Sequence, residues 1–212
     1  MLLFTQFGTI MTNIDISSLR IEGDQLFIKK ILVPEISDSV MNWFNDQQLM
    51  KYYTNSRRQI TKDTLLSAIE EGEKKGNQFT FGIYHKDKSN LIGTLKLGPI
   101  NFNHKTSDLV ALIGNRDYLG KGLAPKAIAL GNELAFNYFD IRKLYGGMYE
   151  SNIPSIKAYL RAGWLVEARL KGQYLVDGNV EDRIEVACFN PKYFNKEYIQ
   201  IIKDRQKLFY TV

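Results

Sequence analysis

The stretch Ile113-Gly114-Asn115-Arg116-Asp117-Tyr118-Leu119-Gly120-Lys121-Gly122-Leu123-Ala124 runs from an apolar alternating segment into a helical pattern. Glycines at 120 and 122 permit a tight turn that exposes successive backbone N–H groups, and the free N–H groups and positive dipole end of the following helix favour an anion. Pro125, in the first helical turn, sacrifices no intrahelical hydrogen bond. The competing reading is a plain glycine-rich connection. Two nucleotide motifs fail on spacing. A Walker loop, G-x-x-x-x-G-K-[ST], is excluded because five residues separate Gly114 from Gly120 and Gly122 stands where the hydroxyl belongs. The dinucleotide fingerprint G-x-G-x-x-G is excluded because Pro125 occupies the place of its last glycine.

A second constellation, Asn152-Ile153-Pro154-Ser155-Ile156-Lys157-Ala158-Tyr159-Leu160-Arg161-Ala162-Gly163-Trp164, reads as a short helix. Asn152 suits the N-cap, Pro154 the first turn and Gly163 the C-terminal stop. Ile153, Ile156 and Leu160 form its apolar face. Tyr159 lies about 100° of helical rotation from Leu160, so it stands apart from the centre of that face. Packing alone is the competing account of this tyrosine.

These segments need a scaffold. Leu26 to Ile31 alternates as a first strand closed by Pro34. Ile36, Val40, Trp43 and Phe44 share a helical face, and Thr61 precedes a second helix carrying Leu65, Leu66 and Ile69, with Gly76 close behind. Strand chemistry follows at Phe79 to Tyr84, Leu91 to Leu97 and Leu109 to Ile113, joined by polar connections at 86–90 and 101–107. A long helix from Leu123 to Phe139 carries an apolar face wide enough to lie on a sheet. Lys143 to Tyr149 reads as a strand, and Trp164 to Leu175 and Glu181 to Phe189 as two more around an Asp177-Gly178 turn. Tyr193 to Leu208 reads as an amphipathic helix. This order predicts an α+β fold whose mixed sheet is mostly antiparallel, with the long helix as a right-handed crossover between two adjacent parallel strands. Residues 1–24 are read as an extension with room for a short strand, 25–192 as one domain, and 193–212 as a helix packed on it.

Composition narrows the function classes. The net charge of +5 is spread along the chain without a basic, aromatic-interleaved run, so nucleic acid is not an expected partner. A modest positive field instead suits an anionic coenzyme or substrate. The two histidines, His85 and His104, lack a recognisable ligand set, so no metal is expected. Cys188 is the only cysteine and sits in an alternating apolar stretch, which excludes an intrachain disulfide. Neither a membrane span nor a secretory signal is visible, so no membrane association is expected and the chain is read as cytoplasmic.

Together, the two constellations in this element order resemble the GNAT N-acetyltransferase superfamily, in particular the branch of ribosomal-protein and amino-sugar acetyltransferases. The resemblance covers roughly Gln25 to Lys192. That family carries a Q/R-x-x-G-x-G/A turn before its long helix and a later N-x-x-[AS]-x-x-x-Y-x-x-x-G-[FW] segment. Asp117 stands at the Gln/Arg position, with Arg116 one residue earlier, and Asp117 to Gly122 looks like the D-Y-W-G-K-G version of the turn. The resemblance implies an acetyl-CoA-dependent N-acetyltransferase with the GNAT fold, helices on both sheet faces and a parallel strand pair at the acetyl-CoA site. By the same resemblance, backbone groups of Ile113, Gly114 and Asn115 would orient the acetyl and pantetheine portion. Gly120, Lys121, Gly122, Leu123 and Ala124 would hold the diphosphate with help from Arg116, and Asn152 and Ser155 would contact the coenzyme. Tyr159 would protonate the departing thiolate while a neutral amine attacks the thioester directly. No carboxylate declares itself as the base; Glu150 is the first candidate and Asp108 the second. Tyr52, Tyr53, Arg57 and Arg58 fall where an acceptor pocket is expected. The expected partners are a small-molecule amine, with a nucleotide-linked amino sugar as the specific guess, and a second copy of the chain. Acetylation of a protein N-terminus and non-catalytic acyl-CoA binding are the alternatives.

Overall fold

A computed structural model describes residues 15–53, 59–87 and 89–210. Alternating apolar residues build one eight-stranded sheet: β1 (Arg20–Glu22), β2 (Leu26–Lys30), β3 (Phe79–His85), β4 (Asn90–Asn101), β5 (Thr106–Ile113), β6 (Lys143–Tyr149), β7 (Leu165–Val176) and β8 (Asn179–Phe189), in spatial order β1-β2-β3-β4-β5-β6-β8-β7. Every neighbouring pair is antiparallel except β5 and β6. The short strand allowed for before Gln25 forms at Arg20–Glu22, with Ile21 buried opposite Ile28. The polar connection read at 101–107 shrinks, because Thr106 and Ser107 extend β5 opposite Asn101 and Ile100 and the Ser107 hydroxyl donates to the Asp108 carbonyl.

Helices α1 (Asp38–Asn45) and α2 (Lys62–Lys75) lie on one face, and α3 (Leu123–Glu133) and α4 (Ile153–Arg161) on the other. Adjacent residues of β4 make the division visible. Ile92 belongs to the core shared with Ala127, Ile128 and Leu134, whereas Leu91 packs with Val40, Leu65 and Ile69. The long helix is α-helical through Glu133 and closes in a π turn over Leu134–Tyr138, covering the span expected for it. A last helix, α5 (Lys196–Gln206), packs against β7. Cys188 is buried and its thiol is pushed up to about 12 by that burial, which makes it inert packing rather than a nucleophile. Among the described residues no helix is long and apolar enough to cross a membrane.

Candidate active site

Strands β5 and β6 pair only at Thr106, Ser107 and Asp108 opposite Lys143, Leu144 and Tyr145. Both continue well past that ladder, β5 to Ile113 and β6 to Tyr149, while staying paired to β4 and β8 on their outer sides. A gap therefore opens in the middle of the sheet, and the β5 backbone groups that face it need partners. The Tyr159 phenol supplies two of them: its hydroxyl donates to the Leu109 carbonyl at 2.8 Å and accepts from the Ala111 N–H at 3.3 Å. Alternation along the strand turns the Ile113 N–H toward the same gap.

Tyr159 reaches there because α4 starts and stops where its sequence dictates. The Asn152 side chain caps it by accepting from Ser155 N–H, Pro154 sits in the first turn, and Gly163 follows with φ of 89°. The ring is 5% exposed and meets Trp164 edge to face, with centroids 4.7 Å apart. Burial first, then the neighbouring Tyr53 phenol and the Asp108 carboxylate, pushes the Tyr159 pKa up, so the hydroxyl keeps its proton at neutral pH.

At the open end of β5, Asn115 caps a short 3-10 turn over Arg116–Tyr118, and the chain then passes through Gly120 and Gly122 with φ of 72° and 71°. Only glycine takes that backbone without strain, and a Cβ at either position would point into open space. Gly122 is the N-cap of α3 and supplies no side-chain acceptor, so the first-turn N–H groups point outward uncapped. That arrangement suits a diphosphate. Gly120, Lys121 and Gly122 are exposed, and Leu123 and Ala124 root the turn in the core.

At Gly114, Asn115 and Arg116 the structure engages groups away from the gap. The N–H groups of Gly114 and Asn115 both donate to the Ile92 carbonyl, at 2.9 and 3.0 Å, because β5 stays zipped to β4 past its end. They are spent as donors toward the gap. Arg116 turns to the opposite face, where its guanidinium holds Asp46. There it borders an open cleft of about 400 Å³ lined also by Glu35, Trp43 and Leu91.

Glu150 is likewise occupied. Its carboxylate pairs with Arg169, which also grips Asp182. Asp108, by contrast, stands where the β5–β6 ladder ends. Burial raises its pKa, against the pull of Lys96 and Arg183, with Glu185 adding to the rise. Around it the sheet face turned away from α3 carries a row of phenols. Tyr149 stacks on Tyr174 at 4.0 Å and tilts against Tyr52 at 5.8 Å, and Tyr52 donates to the Ser151 carbonyl. Tyr53 feels the Asp108 charge, and burial pushes its pKa up. Arg57 and Arg58 lie outside the described residues. The sequence reading missed Tyr149, Tyr174, Arg183 and Glu185. Their signal was alternation, since Arg183 and Glu185 flank the buried Ile184, but only the strand order brings them to Asp108.

The family described as acetyltransferase (GNAT) domain matches residues 30–164, which span the gap, the glycine turn and α4. The chain is similar to a probable N-acetyltransferase, YjcK, of Bacillus subtilis (strain 168), at 21% identity over 182 residues that cover 81% of this chain and 97% of the relative. It is 29% identical over 101 residues to spermidine N(1)-acetyltransferase of Escherichia coli (strain K12), covering 48% of this chain and about half, 54%, of that protein. Among solved structures, spermidine N-acetyltransferase from Vibrio cholerae in complex with CoA and spermine superposes with a TM-score of 0.72 at 21% identity, covering 81% of this chain and 99% of that one. Ribosomal-protein-S5-alanine acetyltransferase from Vibrio fischeri superposes with a TM-score of 0.69 at 20% identity, covering 83% and 99%. These superpositions establish the fold.

Proposed function

The chain belongs to the GNAT acetyltransferases, enzymes that take their acyl group from acetyl-CoA, and from that premise we propose that it transfers acetyl directly to a primary amine of an aliphatic polyamine, with Tyr159 as proton donor and Asp108 as base. One observation carries the reading: the unpaired stretch between β5 and β6, with the Tyr159 phenol bound to its edge.

Bound acetyl-CoA supplies an activated thioester; the chain supplies the rest. The uncapped N-terminus of α3 and the Gly120–Gly122 turn hold the diphosphate. Asp108, kept above the usual carboxylate range by burial, accepts a proton from the acceptor ammonium and leaves a neutral amine. The amine nitrogen bonds to the carbonyl carbon, the Ile113 N–H faces the charge that develops on its oxygen, and the carbon–sulfur bond breaks. Tyr159 gives its proton to the departing sulfur, while the Ala111 N–H already directed at its oxygen stabilises the phenolate left behind. As the amide forms, the attacking nitrogen releases its second proton, which restores the Tyr159 phenol, so the net change in the protein is the one proton gained by Asp108 and passed on to solvent.

Support for a polyamine comes from the acceptor face. Phenol rings and the carboxylates of Asp108 and Glu185 attract an extended chain of ammonium groups. Similar proteins named for spermidine point the same way. A nucleotide-linked amino sugar calls for a diphosphate clamp, for which the sequence offers Arg57 and Arg58. The test is thiol release from acetyl-CoA with spermidine, a nucleotide-linked amino sugar or an alanine-terminated peptide as acceptor. Saturable turnover is expected with spermidine. Turnover with either of the others alone would replace this acceptor.

A further inference from the structure

Asn132 is one of three buried polar or charged residues of the described chain and lies on α3, outside both sequence motifs that mark the site. Its amide is satisfied at both ends. The oxygen accepts from the Trp164 indole N–H at 2.9 Å, and the nitrogen donates to the Ala162 carbonyl at 3.0 Å. An indole N–H only donates and a carbonyl only accepts, so the amide has a single workable orientation. Both partners belong to the turn that ends α4. Within that turn the N–H groups of Ala162 and Trp164 both donate to the Tyr159 carbonyl, at 3.0 and 3.1 Å. The Trp164 ring, 1% exposed, presses edge to face on the Tyr159 ring. One side chain on α3 thus clamps the backbone of Tyr159 from one side and its aromatic ring from the other.

We propose that Asn132 is a positioning residue: through Trp164 and Ala162 it fixes the Tyr159 phenol at β5 and sets its distance from the anion-binding start of α3. The physical reason is the rigidity of α3. Asn132 stands ten residues beyond Gly122, about 15 Å along the helix axis, so the turn that holds the diphosphate and the clamp that holds the phenol share one rod. Removing the amide leaves the buried Trp164 indole N–H and the half-buried Ala162 carbonyl without this partner, which the α4 terminus relieves by shifting. Such a shift carries Tyr159 with it and leaves the start of α3 in place. The proposal rests on Tyr159 being the proton donor only for its effect on rate; the placement of the phenol is a separate claim.

The experiment is a double-mutant cycle of Asn132→Leu with Tyr159→Phe, read by kcat and coenzyme affinity, together with hydrogen exchange of the Ala111 amide that the phenol covers. Asn132→Leu is expected to lower kcat on the order of 10-fold through misplacement of the donor, with coenzyme affinity unchanged, and to lose that effect in the Tyr159→Phe background. Ala111 exchange should quicken in Asn132→Leu, as it should in Tyr159→Phe, where the hydroxyl that accepts the Ala111 N–H is gone. An equal kcat loss in both backgrounds, or unchanged Ala111 exchange, would overturn the proposal. Normal turnover of Tyr159→Phe alone would defeat the proton-donor role instead, and the exchange measurement would still decide the positioning. If Asn132→Leu does not fold, Trp164→Phe removes the indole N–H and leaves the Asn132 bond to Ala162 intact. The same quickening of Ala111 exchange is expected there, and its absence would overturn the proposal equally.

Discussion

Helices α3 and α4 pack on the same face of the sheet and touch each other, yet they begin in opposite ways. At α4 the first turn is closed by its own side chain, Asn152 accepting from Ser155 N–H. Helices α2 and α5 start similarly, with Thr61 and Asn195 as acceptors. At α3 the cap is Gly122 in a left-handed conformation with no side-chain acceptor. Helix α1 also lacks such a bond, but it begins at Ser37, whose hydroxyl engages Ser39, and no glycine turn leads into it. A helix that completes its own hydrogen bonds is suited to hold a side chain still. A helix that leaves them open is suited to receive a ligand. On this reading α4 serves the chemistry and the glycine start of α3 serves binding, and substitutions in α4 and at that start should separate kcat from coenzyme affinity.

The largest separation is expected at Tyr159. Tyr159→Phe keeps the ring against Trp164 and removes the proton, so turnover should fall on the order of 10²-fold while coenzyme affinity holds. Steady-state rates and a binding titration on a protein with normal thermal unfolding decide it. Equal rates would return Tyr159 to packing.

Asp108→Asn sharpens the comparison from the strand that both helices serve. Turnover should drop by a similar order, and the acidic limb of the pH–rate profile should disappear. Its stability effect has the opposite sign. Burial raises the folded pKa of Asp108, so the stability it contributes is present below its unfolded pKa and is lost as pH rises through the folded value. At neutral pH the ionised group therefore burdens the fold, and Asp108→Asn should raise Tm at pH 7 but not at pH 3. A lowered Tm at pH 7 would contradict the burial argument.

At α3, Gly122→Val places a branched side chain at φ of 71° beside the anion site. Coenzyme affinity should weaken about 10-fold or more with kcat at saturation nearly kept, the reverse of Tyr159→Phe. Unchanged affinity in a folded variant would remove the turn from the site. A smaller effect belongs to Asn152→Ala, which uncaps α4 and should cost about 1 kcal/mol of stability, seen by denaturant titration. If coenzyme affinity falls as well, Asn152 contacts the coenzyme in addition to capping. The smallest is Glu150→Gln: Arg169 keeps Asp182 as partner, so the pH–rate profile should not move. A displaced acid limb would restore Glu150 as the base.

The residues of the glycine turn and of α4 were legible because their requirements are local. Gly120, Gly122, Pro125, Asn152 and Gly163 each answer a backbone need set within a few residues, and alternation or helical spacing identified the elements around them. The sequence by itself also determined the element order, and with it the parallel pair, because a strand, a long helix and another strand leave few ways to close a sheet. What only the tertiary structure decided is which groups remain free. Gly114 and Asn115 lost their N–H donors to Ile92 on another strand, Glu150 lost its carboxylate to Arg169, and Asp108 was left desolvated at the end of the β5–β6 ladder. Asn132 reads as a polar interruption in an apolar helix until the carbonyl and indole it joins are placed 30 and 32 residues further along the chain. A hydrogen bond is used once, and whether a side chain has already used it depends on residues that only folding brings near.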